Sequence, residues 1–441
     1  MPTIEHDVIE VPKPDGPLTW PAVTDLIAPH CTPQTVPVRL ALTDQANGRL
    51  TFEVTGIRGV DPSAQKWGSL WDFTPRRPER SGRFVVIHVV PTGIRAEIGG
   101  FAGDATPATN LLASTCDYLL THPNAVTASD LYWGRENVLY LEGNLLSRFL
   151  LGQIHLRPAQ TRRLGVLVDK PHAPAFLDNV LNAVHACRTV GGLTIDQVWV
   201  SEKPLRAEVF YSPCGRALGN IARMDRILEI AGEAEQQVDA LAITSEIAVS
   251  PQLRADYYAG KRVANPWGGV EAVLTHTVTT MTGLPAAHAP MLTSHADLVP
   301  PDGVVDPRDG AEVISTSFLC SVLRGLWAAP QPILAATPTM AGETRLNLED
   351  IGALVLPAGA VGGIPAFAAL AQHIPLILVR ENTTLSPLCI QDVLGSQDLD
   401  HTEIYVVDNY LEAAGTLTAL RERLNVDAIR RPIAPTPLSP R

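Results

Sequence analysis

A chain of 441 residues with a formal net charge of −12 and 46% hydrophobic residues is long enough for two or three domains and apolar enough for a sizeable core. The acidic balance argues against a nucleic-acid partner, because such proteins present basic surfaces. No early apolar segment and no long apolar span occur, so we expect a cytoplasmic protein without a membrane partner. The six cysteines lie far apart without a CxxC pair, which disfavours a zinc or disulfide framework. Cys214, in the turn-like SPCGR, is the thiol to test for reactivity.

The N-terminal part of the chain predicts an arm and a small β region. Residues 1–34 are rich in proline and have no period, which is typical of a tail or of an arm lying over the body. Within residues 35–82, two alternating segments, Val36–Thr43 and Arg49–Gly56, flank DQANG and predict a β-hairpin. The rest of this region is expected to be a loop packed by its own tryptophans.

The stretch Val85–Asn124 has the pattern strand, glycine-rich turn, helix and strand. The run Phe84–Val90 is β-branched and predicts a strand buried on both faces. Pro91 ends it, and four glycines between 93 and 103 permit positive φ angles and a close approach to a ligand. Thr106 and Pro107 then predict a helix start, whose free N–H groups favour an anion. The alternative is a tight connection whose glycines serve packing alone.

Further strand and helix signals alternate along the remaining chain. A second glycine-rich turn, PAGAVGG at 357–363, lies between a predicted strand and a predicted helix. This alternation predicts an α/β fold with a doubly wound, mainly parallel sheet of Rossmann-like type and a small N-terminal β-hairpin region. We expect one α/β unit over 83–260, a second over 261–428, and a disordered tail over 429–441.

Polar residues that follow predicted strands or open predicted helices form the candidate site, because ligands of open α/β sheets bind outside the carboxyl ends of the strands. Each such residue taken singly is more often a cap or turn residue, but a set on one edge favours function. The predicted substrate-binding residues are Thr92, Gly99, Gly100, Thr106, Asn110, Asn124, Asp130, Asp169, Ser245, Asn265, Trp267, Glu271, His276, His288, Asp306, Arg308, Gly362 and Gly363.

His122, His276 and His288 are the candidate proton carriers, because imidazole alone titrates near neutral pH without perturbation. His122, which precedes Pro123 at a strand end, is the first choice, and His276, on an otherwise apolar helix, has a satisfied buried histidine as its alternative. Glu97 or Asp104 is expected to orient His122 and to raise its pKa, and Arg308 to clamp an anion. The alternative is that His122 only holds the glycine-rich loop. No cofactor is predicted; a divalent metal would draw on His122, His276, His288, Asp130 and Asp306, although no HxxxH or HxE spacing supports it.

Several long strings resemble one family. AEIGGFAGDATP, LLASTCDYLLTHPN, ASDLYW, NPWGGVEAVLTHT, HAPM and VDPRDGAEVISTSFL, in this order, look like the bacterial and plastid family catalogued as domain of unknown function 3326. The resemblance runs from about residue 36 to about residue 411. It implies a shared pocket at these positions and no assigned reaction.

A shorter string, GGIPAFAALAQHIPLILV at 362–379, is similar to the nucleotide-diphosphate loop of glycosyltransferases of the two-Rossmann-domain type. That family places a glutamate on the ribose where this chain has Ala368. The resemblance therefore implies diphosphate or anion binding at this turn without a sugar nucleotide.

Together these patterns predict an enzyme that acts on a small anionic metabolite, a carboxylate or a phosphate, by general acid–base chemistry, with the lyase, isomerase or hydrolase class left open. One alternative is a nucleotide-sugar transferase or epimerase with a two-Rossmann-domain site. The other is a non-catalytic ligand-binding or regulatory protein. The expected partner is a small molecule, and a homo-oligomer is compatible with the sequence.

Overall fold

The computed structural model describes residues 1–77, 82–91, 93–122, 133–158, 162–261, 263–291, 304–308, 310, 312, 318–395, 403–433 and 435–436. The strands are β1 (Thr3–Pro12), β2 (Thr35–Ala46), β3 (Arg49–Arg58), β4 (Val85–His88), β5 (Tyr118–Thr121), β6 (Val138–Tyr140), β7 (Ile154–Arg157), β8 (Arg163–Val168), β9 (Thr194–Val200), β10 (Ala207–Tyr211), β11 (Ala217–Ile221), β12 (Ala240–Ser245), β13 (Ile247–Ala248), β14 (Ala286–Pro290), β15 (Gln331–Leu334), β16 (Ile351–Pro357), β17 (Leu376–Val379) and β18 (Ile404–Val407). The helices are α1 (Trp20–Ile27), α2 (Thr106–Ala113), α3 (Gly143–Leu150), α4 (Pro174–Gly191), α5 (Met224–Ala234), α6 (Pro251–Tyr258), α7 (Gly268–Thr282), α8 (Phe318–Ala328), α9 (Ile364–Ala371), α10 (Ile390–Leu394), α11 (Tyr410–Arg421) and α12 (Val426–Ile429). Across the described ranges, no helix has both the length and the apolar character needed to span a membrane.

The N-terminal sheet is antiparallel, with β3 between β1 and β2. Asn47 and Gly48 join β2 to β3 with φ angles of 51° and 72°, as a two-residue turn that follows the strand twist requires. The predicted hairpin is thus confirmed. Residues 1–34 also belong to the body, because β1 pairs with β3 and α1 buries Trp20, Val23 and Ile27 on one face. The sequence analysis found no period in residues 1–34, because α1 is short and prolines flank it.

The central sheet has six strands in the order β18-β17-β16-β4-β5-β6, and every pairing is parallel. Helices cover both of its faces, because Val85 and Ile87 of β4 contact a core that includes Phe149 of α3 and Phe367 of α9. Val86, which points the other way, packs in a core with α2 and α11. The predicted Rossmann-like α/β fold is therefore confirmed.

A second parallel sheet, β14-β12-β8-β9, is formed by the chain between β6 and β16. Helices α4 and α8 pack on one face, and α5 and α7 pack on the other. The parallel strands form two sheets where the sequence predicted one. The six-stranded sheet takes strands from both sides of residue 260, so the predicted division there does not follow the sheets.

Helix α7 approaches β11 so closely that only glycine fits at one contact. A Cβ atom on Gly269 would lie 2.4 Å from the carbonyl oxygen of Ala217 and 2.6 Å from the backbone nitrogen of Leu218. Backbone atoms have little freedom to move aside, so Gly269→Ala should lower the free energy of unfolding by about 1–3 kcal/mol through overpacking.

The matched control is Gly232→Ala in α5, where no atom lies within 4 Å of the added Cβ. This substitution should leave the stability unchanged or raise it by about 0.5–1 kcal/mol, because alanine favours helix. Urea unfolding of both variants measures the difference. Equal midpoints for the two would contradict the close contact between α7 and β11.

Candidate functional site

The six-stranded sheet forms a crevice between β4 and β16, where the strand order reverses. The connection after β4 leads to β5 on one side, and the connection after β16 leads to β17 on the other, which leaves space above the carboxyl ends. A cleft that encloses about 1260 Å³, part of it open to solvent, lies there. Strand β2, helices α3 and α7 and the β10–β11 turn complete its walls. Its polar side chains are Arg39, Thr43, His122, Asn144, Ser147, Cys214, Arg216, His276 and Ser386.

The second glycine-rich turn lies in this cleft, and the first contributes only its beginning. Gly362 and Gly363 line the cleft, and a Cβ on Gly362 would be 2.3 Å from the carbonyl oxygen of Leu42. Gly93 also lines it. Gly99 has a φ of 93°, and a Cβ there would be 1.9 Å from Val90 Cγ1. The glycine at 99 therefore serves the packing of its own loop.

One wall of the cleft carries two guanidinium groups. Arg39, from β2, donates to the carbonyl oxygen of Ala217 at 3.2 Å, and within the described part of the chain no carboxylate forms an ion pair with it. Burial, together with the charge of Arg216, lowers the pKa of Arg39 to about 9, so it remains charged at neutral pH. Arg216 is paired, since its Nη1 lies 2.7 Å from Oε2 of the buried Glu53. The charge of Glu53 also acts on Arg39, so among the described residues one carboxylate serves two guanidinium groups, and an excess positive charge remains in the cleft.

Behind the cleft residues of α3 and α7 lies a buried carboxylate, Glu142, that the sequence analysis did not identify. Glu142 follows β6 and caps α3, where its Oε2 accepts from the backbone N–H groups of Asn144 at 2.8 Å and Leu145 at 3.1 Å. The hydroxyl groups of Thr275 and Thr279 on α7 donate to the same carboxylate at 3.1 and 3.0 Å. Glu142 therefore ties the start of α3 to α7.

His276 of α7 completes this arrangement, because its Nδ1 hydrogen-bonds to Oε1 of Glu142. Burial alone would raise the pKa of Glu142, but the His276 imidazole and the hydrogen bonds hold it below its usual range. An ionised carboxylate only accepts hydrogen bonds, so Nδ1 of His276 must carry the proton. Its Nε2 is then the nitrogen that remains to accept a proton in the cleft.

His122 lies beside His276, and both rings lie against Gly143. A Cβ on Gly143 would be 2.8 Å from Cε1 of His276 and 3.6 Å from Nδ1 of His122. Burial, then the nearby charge of His276, lowers the pKa of His122 to about 4. The predicted shift of the His122 pKa had the opposite sign, because the prediction counted a carboxylate partner and did not count burial. At neutral pH His122 is an uncharged hydrogen-bonding group.

A third histidine lies behind His122. His88 is fully buried in β4 between the hydroxyl groups of Thr109 and Tyr410, each at 3.3 Å. Burial, then the charge of His122, lowers the pKa of His88 to about 3. Both histidines are therefore held neutral over the physiological range.

The carboxylates predicted to orient His122 are bonded elsewhere. Glu97 pairs with Arg308 at 2.5 Å, and Oδ1 of Asp104 accepts from the backbone N–H of Gly99 at 2.7 Å. The loop that carries Glu97 is held to the residues after β17, since the N–H of Glu97 donates to the carbonyl oxygen of Thr383 at 2.9 Å. The expectation that this loop would fold back onto His122 is therefore wrong.

Other predicted residues gather in a second, smaller pocket of about 290 Å³. Glu97, Gly100, Asn265 and Arg308 line it. Nearby, Asp306 binds Arg308 at 3.1 Å, and Trp267 packs edge-on against Tyr257 at 5.8 Å. Here Arg308 is the partner of two carboxylates, so its charge is already compensated.

A third group is buried in the four-stranded sheet. Ser245 Oγ lies 2.8 Å from His288 Nε2, and His288 Nδ1 lies 3.1 Å from Glu271 Oε1. All three are at most 2% exposed, and they do not line the cleft. Asp169, at the end of β8, accepts from the backbone N–H groups of Leu205 and Glu246.

The remaining predicted residues are placed as follows. Thr106 begins α2, and Asn110 binds the backbone of Trp133 and Arg135. Thr92, Asn124 and Asp130 lie outside the described residues. Among the side chains that the structure describes, no group of three or more His, Cys, Asp or Glu is arranged to hold a metal ion.

Of the predicted set, the cleft thus unites His122, His276, Gly362 and Gly363. The sequence analysis did not identify three charged residues of the site: Arg39, Glu142 and Arg216. Glu142 follows the three-residue strand β6, which is too short to be recognised from its period, and Arg39 falls in an alternating hairpin strand whose polar positions normally face solvent.

Comparison with known proteins places the chain in a family. Residues 85–430 match the family described as "Protein of unknown function (DUF3326)". This range includes His122, Glu142 and His276 and begins after β2 and β3, which carry Arg39 and Glu53. An uncharacterized lipoprotein of Synechococcus sp. is 33% identical to the chain over 344 residues, which cover 77% of this chain and 92% of that protein.

This relative corrects one expectation. The sequence led us to predict a cytoplasmic protein, and that prediction is wrong by this comparison, because a protein of this similarity is named a lipoprotein. The matched range covers most of the described fold, including Glu142 and His276. The chain belongs to the DUF3326 family.

Proposed function

We propose that the protein is an enzyme that binds a small anionic metabolite, a carboxylate or a phosphate, in the cleft and transfers a proton to or from it. The observation that carries this proposal is the position of Arg39, which has no ion-pair partner among the described residues and lines the same cleft as the Glu142–His276 pair. An anion bound at Arg39 would thus share the cleft with a base, His276.

The roles follow from the chemistry of each wall. Arg39 is half-buried, so part of its hydration is lost, and an anionic ligand offsets that loss through charge-assisted hydrogen bonds. His276, oriented by Glu142, has the proton on Nδ1 and a basic Nε2, which suits a general base. Neutral His122 would donate a hydrogen bond to charge that develops on the substrate. The nucleotide-sugar alternative is disfavoured, because the glycosyltransferases that the second glycine turn resembles place a glutamate where this chain has the fully buried Ala368.

Arg39→Gln should weaken anion binding about 10- to 100-fold, which is the usual contribution of a hydrogen bond to a charged group. Isothermal titration with phosphate, sulfate, oxalate and 2-oxo acids measures this. The matched control is Arg163→Gln, an exposed arginine at the amino end of β8 that pairs with Asp239; its affinity should equal that of the wild type. Equal affinities for all three proteins would contradict an anion site at Arg39.

Proton transfer is tested without knowledge of the reaction. Small carboxylates that bind should exchange an α-hydrogen with D₂O in the presence of the protein, and His276→Asn should slow this exchange by about 10²-fold. His30→Asn, at an exposed position, serves as the control. Arg39-dependent binding without exchange or product from any ligand would instead identify a non-catalytic ligand-binding protein.

A further inference from the structure

Cys214 has surroundings that the proposed acid–base chemistry does not use. It lies in the turn between β10 and β11, and its side chain lines the cleft next to Arg216. The carbonyl oxygen of Ser212 accepts from the N–H of Gly215 at 2.9 Å, and Gly215 has a φ of 83°, a conformation that glycine adopts without strain. The turn thus holds the thiol at the cleft wall.

The Cys214 thiol is hydrogen-bonded to a base that is itself oriented. Sγ donates to Oε1 of Glu53 at 3.0 Å, and the hydroxyl of Ser212 also lies 3.0 Å away. The second oxygen of Glu53 accepts from Arg216 at 2.7 Å. A nucleophile, a base within hydrogen-bond reach and a third group that orients the base form the arrangement used by enzymes that activate nucleophiles.

The charges around Cys214 favour an anionic reactant. Arg39 and Arg216 supply two positive charges near the thiol, and Glu53 supplies one negative charge. Burial raises the pKa of Cys31 to about 11 and that of Cys116 to about 12. Cys389 is exposed, but its sulfur lies 3.2 Å from the carboxylate of Asp392. A negative reagent would therefore be attracted to Cys214 and repelled from Cys389.

We propose that Cys214 is a nucleophile of the cleft, activated by Glu53 and directed by Arg39 toward electrophiles that carry a carboxylate. This inference rests on the proposed anion site. In its simplest form, alkylation by iodoacetate, the sulfur–carbon bond forms, the carbon–iodine bond breaks, iodide leaves, and the thiol proton passes to Glu53.

The test compares iodoacetate with its neutral analogue iodoacetamide on the whole chain, with peptide mass spectrometry to give the rate at each cysteine. The ratio of the iodoacetate rate to the iodoacetamide rate should be on the order of tenfold higher at Cys214 than at Cys389, as electrostatic guidance predicts. Phosphate in excess should protect Cys214 and leave Cys389 unprotected.

Variants separate the guidance of the reagent by Arg39 from the acceptance of the thiol proton by Glu53. Arg39→Gln should reduce the ratio at Cys214 to that at Cys389, whereas Arg39→Lys should keep most of it, because the positive charge is retained. Glu53→Gln should slow both reagents at Cys214, since amides do not accept the thiol proton. Circular dichroism of each variant checks that it is folded.

The outcomes distinguish this inference from the proposed function. If Cys214 stays unmodified while anion binding still depends on Arg39, the nucleophile is excluded and the anion site stands. If Cys214 reacts with the same ratio as Cys389, guidance by Arg39 is excluded. If neither the anion affinity nor the ratio of the two alkylation rates at Cys214 changes in Arg39→Gln, both proposals fail together.

Discussion

Replacement of Glu142 by alanine should lower the free energy of unfolding by about 3–5 kcal/mol, because several buried hydrogen-bond donors around its carboxylate are left without it, at about 1–3 kcal/mol for each unsatisfied group. The carboxylate is 1% exposed and accepts hydrogen bonds from two backbone N–H groups, two threonines and His276. Each of these donors would lose its partner at once. Urea unfolding at pH 7.5 measures the change.

Two further variants show how far the stability lost in Glu142→Ala exceeds the stability lost when an ordinary helix cap is removed. Ser250→Ala removes the side chain that caps α6 through the N–H of Leu253, and it should cost about 0.5–2 kcal/mol. Glu142→Gln retains one acceptor for the cap but places an amide against His276, so its cost should fall between the other two. A Glu142→Ala variant no less stable than Ser250→Ala would contradict the buried network.

Acidification should destabilise the protein between pH 6.5 and pH 4, and His88 should account for about 2 kcal/mol of this loss at pH 5. The folded pKa of His88 is about 3 and that of His122 about 4, both below the value of about 6.5 in the unfolded chain. Below pH 6.5 the unfolded state therefore binds more protons, and stability falls until the folded pKa values are reached.

Other titrating groups change the stability in the opposite direction or over a different pH range. Burial raises the pKa of Asp169 to about 6, so its protonation in the folded state opposes the histidine effect. Glu142, whose pKa is lowered, contributes stability that is lost only below the unfolded value of about 4.3. The measurement is therefore a comparison with His88→Gln, which does not titrate but can bind the hydroxyl groups of Thr109 and Tyr410.

Unfolding of both proteins in urea at pH 8 gives the packing cost of His88→Gln, because His88 is neutral there in both states. Between pH 8 and pH 5, the wild type should lose about 2 kcal/mol more than the variant. Parallel pH curves for the two proteins would show that His88 is protonated in the folded state, contrary to its burial.

The sequence predicted elements of the fold where neighbouring residues carry a clear pattern, such as an apolar run or a proline at a helix start. The buried β-branched runs of β4 and β16 and the proline-led start of α9 were all predicted close to their observed positions. Strands β9, β10 and β11 were not predicted, and the β10–β11 turn carries Cys214 and Arg216. Strands β9 and β10 are half-exposed, and β11 is buried but contains glycine and asparagine, so all three lack the continuous apolar run that marks a parallel core strand.

The site was only partly readable because its contacts are distant in sequence. Glu142 and His276 are 134 positions apart, and Glu53 and Arg216 are 163 positions apart. Periodicity and turn signals inform about neighbours within a few residues. They marked His122 at a strand end and His276 on an apolar helix, but they could not pair His276 with Glu142. In the glycine-rich loop after Pro91, Gly93 lines the cleft, whereas Gly99 packs against Val90.

The pairing of β4 with β16 has a consequence for biosynthesis. Val85 lies beside Ile351 at the centre of the six-stranded sheet, so its neighbour leaves the ribosome about 260 residues later, roughly 13–50 s at ordinary rates of translation. During that interval β4 exposes an apolar edge that nothing in the nascent chain covers. Closing so long a loop also slows folding. We therefore expect the newborn chain to depend on molecular chaperones, and its yield to rise when translation and folding take place at lower temperature.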